Sequence, residues 1–304
     1  KWRRDRRHAL LCTMHHAGTF FLFSLALAIT PVNAGHGTPF DLSHPTRRYP
    51  LPAELLEISG ITDVDANTIA CLHDEAATLY FIDLISGSIV DRLTFGVPGD
   101  YEGLTRVGEL YFALRSDGLI NRLRLRDGAI ELLDTFRLAI PNQNIEGLGY
   151  DEALDRVLVS PKDFAKGDKA TRDERVIHAF DPVTGKMATE PALRFSVSGI
   201  IAQAQAMGVE LPVRKTDNGR ELPALKLRLS SVAVHPGTDH YYLLSAVDHV
   251  LLVLDRNVRL VSLHVLHPLT FPKPEGITFL PGGDMLISNE GKGGQPDLLR
   301  FNGQ

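Results

Sequence analysis

Acidic residues recur along this chain in one setting. Glu102, Glu146 and Glu275 each precede Gly and an apolar run, in YEGLT, IEGLG and PEGIT. Ser59 in ISGIT and Ser230 in LSSVAV hold the same place, with Ser231 where the other four steps have Gly. If the equivalent positions converge, three carboxylates meet. Such groups repel one another, and each resists ionisation. Protonation relieves the repulsion, and so does a bound cation. An all-oxygen donor set without Cys or His selects a hard cation, Ca²⁺ before Mg²⁺. A structural use stands beside this one, in which each Glu bolts a neighbouring element by accepting backbone N–H bonds. A catalytic acid or base is a third use of the same residues.

A second polar set follows each step: His73-Asp74-Glu75, Arg115-Ser116-Asp117, Lys162-Asp163, Ser245 with Asp248, and Asn289-Glu290. These residues close apolar runs and read either as solvated turns or as a polar rim. As a rim they could hold a ligand, or pair Lys162 or Arg115 with the carboxylates. The candidate ligand-binding residues are therefore Ser59, Ser230, Asp74, Arg115, Lys162, Asn289 and Glu290. His235 with His240, and His264 with His267, have no metal-site pattern. No Gly-x-Ser-x-Gly elbow or HExxH helix motif is present.

Spacing names the elements that position these residues. The steps at Ser59, Glu102, Glu146, Ser230 and Glu275 lie 43, 44, 84 and 45 residues apart. A period in the forties is that of a four-stranded propeller blade. The long interval is one period plus an insertion. Within a period, runs such as ISGITDV, NTIACLH, ATLYFIDL and SIVDRLTF read as strands punctuated by Asp, Asn and Gly. The expected fold is all-β, a five-bladed β-propeller over residues 47–304. The fifth period offers only three strands before Gln304. Arg47 to Leu51 can supply the missing one and close the ring without leaving sheet edges exposed. The insertion covers about 162–229. Its stretch Lys162 to Asp173 reads as a charged loop. SGIIAQAQAMG (198–208) reads as a short helix, and Val213 to Glu221 as a polar turn. The insertion is expected to fold over one mouth of the ring.

Residues 1–34 read as a signal peptide. Lys1, Arg3, Arg4, Arg6 and Arg7 precede an apolar run, and Val32-Asn33-Ala34 offers a cleavage site. Residues 35–46 then form a linker. The reading implies an exported, periplasmic protein, or a membrane-anchored one if the segment stays uncleaved. Without residues 1–34 the chain carries 27 Lys and Arg against 36 Asp and Glu. That acidity excludes a nucleic-acid partner, which needs a basic face. Only Cys71 then remains, so no internal disulfide forms and packing alone must hold the fold.

The series EISGIT, YEGLT, IEGLGYD, LKLRLSSVAVHP and PEGIT, with HDEAATLYFIDL and SNEG, resembles the SdiA-regulated (YjiK-like) family. The resemblance spans about Tyr49 to Asn302. It implies a five-bladed propeller, export from a Gram-negative cell, and a calcium ion at a family site. Calcium transfers only onto Glu102, Glu146 and Glu275, and the two serines lower that site's charge. The functional expectation is a monomeric, calcium-containing binding module for a protein or small molecule, with no catalytic residue assigned. The alternative is a calcium-dependent propeller hydrolase of the lactonase or phosphoesterase type, in which the ion polarises a carbonyl or phosphoryl oxygen.

Overall fold

Each blade alternates side chains between two neighbours, so both faces of its middle strands must be apolar. Thr68–His73 shows the pattern. Ile69 and Cys71 join the hydrophobic cluster shared with the fifth blade, while Ala70 and Leu72 join the cluster shared with the second. In the computed structural model, five antiparallel four-stranded sheets follow this rule and form a ring. The structure describes residues 38–141, 144–165, 169–291 and 293–303. The signal peptide expected at 1–34 lies outside the described residues. Among those described, no helix is long and apolar enough to cross a membrane.

The innermost strands are Ile58–Asp63, Tyr101–Val107, Ile145–Asp151, Ser231–Val234 and Pro274–Phe279. Each touches the next around the axis. Their glycines permit this approach. A Cβ on Gly60 would lie 2.4 Å from the Leu104 nitrogen, and one on Gly103 would lie 2.8 Å from the Leu148 nitrogen. In the fourth blade Ser231 replaces Gly, and its hydroxyl accepts the Ile277 N–H at 3.3 Å. Five hydrophobic clusters fill the five seams between blades.

The ring closes as the sequence implies. Arg47–Pro50 pairs antiparallel with Asp297–Phe301 and completes the fifth blade. Tyr49 and Leu51 are buried there. The stretch read as a linker also contributes: Phe40 is buried against His235, Tyr242 and Phe279.

The insertion is two excursions separated by strands of the third blade, Glu174–Phe180 and Leu193–Ser196. The first contains a short 3-10 turn, Lys169–Asp173. The second contains the helix Val197–Ala206, capped by the Ser196 hydroxyl accepting the Gly199 N–H. The polar turn is a two-stranded hairpin, Val213–Lys215 with Glu221–Pro223. The helix does not lie over a mouth. Val197, Ile200 and Ala204 pack into the seam between the third and fourth blades, against the outer strands. Its apolar stripe matches that seam and would have no partner over a polar mouth. The returning segment is stapled by the buried Arg175 guanidinium, which donates to the carbonyls of Lys226 and Leu227.

Candidate functional site

The repeated step is a β-bulge. In the second blade Tyr101 pairs with Arg115 and Gly103 with Leu114, which leaves Glu102 as the extra residue. Glu146 and Glu275 are the extra residues of the same irregularity in the third and fifth blades. In the first blade Ser59 and Gly60 fall within it. A bulge re-aims a side chain out of the pleat. Here it sets three glutamates at the N-terminal ends of inner strands, at one mouth of the ring.

These glutamates sense one another. Glu102 is pushed up to about 9, first by burial, then by the charges of Glu146, Asp100 and Glu275. Glu275 rises to about 7, chiefly through burial, with Lys273 opposing. Burial also raises Glu146, and Lys162 opposes it. Two lysines sit among the acids. The Lys162 ammonium lies 2.9 Å from Glu146 Oε1. That of Lys273 lies 3.3 Å from Glu275 Oε1 and 2.5 Å from Glu290 Oε2. Burial alone would lower both lysines, but the surrounding carboxylates hold them above their usual range. A cavity of about 550 Å³ opens at the other end of the inner strands. A smaller one of about 310 Å³ opens beside the glutamates, lined by Lys162, Arg228, Ser230, His249, Lys273 and Glu275 among others.

Of the other expected residues, the structure places some at this mouth and turns others away. Lys162 and Glu290 belong to the ion network. The Ser59 hydroxyl donates to the Tyr101 carbonyl at 2.7 Å, and that of Ser230 to the Pro274 carbonyl at 3.1 Å. Both serines therefore bolt one blade to the next, the use first considered for the glutamates. Arg115 holds Asp117 in a two-point pair rather than a channel carboxylate. Asn289 is buried, and its amide donates to Thr270 and Asp297.

Asp74 joins a different group. Glu57, His73 and Asp74 each offer a ligand atom, all within 4.8 Å of one another, and this triad could hold a metal ion. Strand pairing assembles it. Ile58 pairs with His73, and the Asp74 N–H donates to the Glu57 carbonyl at 3.1 Å. Burial and the Glu57 charge push Asp74 up to about 6.

Sequence reasoning missed Lys273, Arg228, His249 and Glu57, and it read His73 as part of a solvated turn or a polar rim. Lys273 had a signal, because it precedes the Pro-Glu-Gly step by one residue. Arg228 and Glu57 share that place, two residues before Ser230 and Ser59, whereas His249 has no signal in the repeat.

No protein-family profile matches the chain, and no curated protein matches it by sequence. Solved structures do share its shape. Glutaminyl cyclase of Myxococcus xanthus is 16% identical with a TM-score of 0.55, over 85% of this chain and 95% of that one. Streptogramin B lyase is 14% identical with a TM-score of 0.45, over 84% of this chain and 97% of that one. At these identities the likeness concerns the fold alone.

Proposed function

We propose that this chain is an exported propeller that binds a small ligand bearing a carboxylate or phosphate in the glutamate mouth. One observation carries the reading: Lys162, Arg228 and Lys273 outnumber the one carboxylate, Glu275, in the lining of a single cavity of about 310 Å³, with Ser230 and His249. Ala246, Val247 and Pro272 give that cavity an apolar wall. Cations for an anionic group, with apolar surface beside them, are the usual makings of a small-molecule site. Export rests on the pattern of residues 1–34, and the motif series resembles that of the SdiA-regulated family.

Calcium at Glu102, Glu146 and Glu275 suits the donors' oxygen chemistry but not their surroundings. Two of the three carboxylates already face ammonium groups, at 2.9 and 3.3 Å. A divalent ion would have to displace both lysines or lie beside them. In chain first stripped of metal, an unchanged melting temperature with and without excess calcium is the expected result.

The test of the binding reading is a thermal-shift panel of small carboxylates and phosphates on the full chain. At least one should raise the melting temperature, and Lys273→Gln should abolish that shift. A panel without effect, or an equal shift in the variant, refutes the reading.

A second reading, acid–base catalysis, rests on Glu102 near 9 and Glu275 near 7 at one mouth. One carboxyl is then protonated at neutral pH while the other is poised to exchange a proton, a division typical of hydrolytic sites. It calls for turnover of an ester, lactone or phosphoester that Glu102→Gln removes. Absence of turnover on all three substrate classes would discard it.

A further inference from the structure

We propose that Glu57, His73 and Asp74 bind one divalent first-row transition ion, of the Zn²⁺ type, on the rim of the first blade. This reading is independent of the ligand cavity. The triad is built by backbone rather than by chance meeting of long side chains. His73 ends one strand opposite Ile58, and the Asp74 N–H is tied to the Glu57 carbonyl. The three ligand atoms lie within 4.8 Å of one another. Donors around a zinc ion sit about 2.0–2.2 Å from it, so small side-chain rotations would let all three share one centre.

Among the described residues no lysine or arginine forms an ion pair with Glu57 or Asp74, unlike Glu146 and Glu275. Asp74 Oδ1 is buried and receives no hydrogen bond. Its near neighbour is His73 Nδ1 at 3.3 Å. That nitrogen in turn faces the Glu75 N–H at 3.2 Å. When Nδ1 accepts from Glu75, its single lone pair is engaged and it has no proton to give Asp74, so the 3.3 Å approach to Oδ1 is left without a hydrogen bond. A cation resolves that contact. The imidazole decides which cation: nitrogen beside two carboxylates suits zinc and its neighbours, whereas calcium takes oxygen. Three protein ligands leave a coordination position open for water.

The experiment is titration of the full chain, stripped by chelator, with Zn²⁺, Co²⁺ and Ca²⁺. One equivalent of Zn²⁺ should bind and raise the melting temperature. Co²⁺ should develop the visible absorption of a nitrogen–oxygen site. Glu57→Gln and His73→Asn should each weaken Zn²⁺ at least tenfold, while Glu102→Gln should leave it unchanged. The melting temperature of each variant in chelator shows that it folds, and Glu57→Gln carries the test if His73→Asn does not. Zn²⁺ binding that is absent, or equal in the wild type and a folded variant, overturns the proposal. So does Ca²⁺ binding at these residues that matches Zn²⁺ in affinity.

Discussion

At the glutamate mouth, carboxyls of one sequence step end in different states because their cations differ. Glu146 has Lys162 at 2.9 Å and Glu275 has Lys273 at 3.3 Å. No ion pair reaches Glu102 among the described residues, and it rises to about 9. Its folded-state pKa thus lies above the ordinary value of 4.5. Between those pH values the folded chain holds a proton that the unfolded chain has released. Stability from this group is therefore complete below about pH 4.5 and is lost as pH rises through about 9. Glu102→Gln mimics the protonated form and should flatten that alkaline loss. Denaturant unfolding at pH 5 and pH 9 measures it. Wild type should lose on the order of 2–4 kcal/mol more than the variant across this range. Parallel pH profiles would show that Glu102 is ionised at neutral pH after all.

At the scale of strands, the blades were legible because alternation of apolar residues depends on local sequence alone. The bulges were not, because a bulge is a relation between two strands. The EGL and EGI steps look like ordinary strand starts until Tyr101 is seen opposite Arg115 and Gly103 opposite Leu114. For the same reason convergence of Glu102, Glu146 and Glu275 followed from the period, while the pairing of Lys273 with Glu290 on the neighbouring strand's end did not. The seam between the third and fourth blades shows the same limit. Asp151 ends an inner strand and is fully buried, and nothing in its local sequence names its partners. Its Oδ2 lies 2.7 Å from Arg256 and 3.1 Å from Arg156, and the Tyr241 hydroxyl donates to it at 3.2 Å. Asp151→Asn would leave Arg156 without its counter-charge and Arg256 with Asp239 alone, at 3.2 Å. Breaking a buried pair this way costs about 3 kcal/mol or more. Ser59→Ala, which removes one bolt between blades, should cost about 1 kcal/mol. Urea unfolding of both variants compares them, and equal losses would mean that the seam is held by packing instead.

Around the whole ring, no covalent link joins the last blade to the first, and the free thiol of Cys71 is buried, its pKa raised by burial. Closure rests on Arg47–Pro50 against Asp297–Phe301, the Arg48–Asp297 pair at 2.8 Å, and the burial of Tyr49 and Leu51. Phe40 adds a second anchor in the seam between the fourth and fifth blades. Each of these apolar side chains contributes roughly 1.5–3 kcal/mol when fully buried. Together they approach the whole stability of a typical domain, about 5–15 kcal/mol. A chain starting at Pro52 should therefore melt about 10 °C or more below one starting at His36, or fail to unfold cooperatively. It would also expose Asp297–Phe301 as an unpaired edge of buried apolar residues, a template for strand addition. Concentration-dependent aggregation should follow, and a synthetic peptide covering His36 to Pro52 should suppress it by pairing with that edge. If the shortened chain melts with the longer one and stays monomeric, the ring is held by its other three seams, and the closing strand is dispensable.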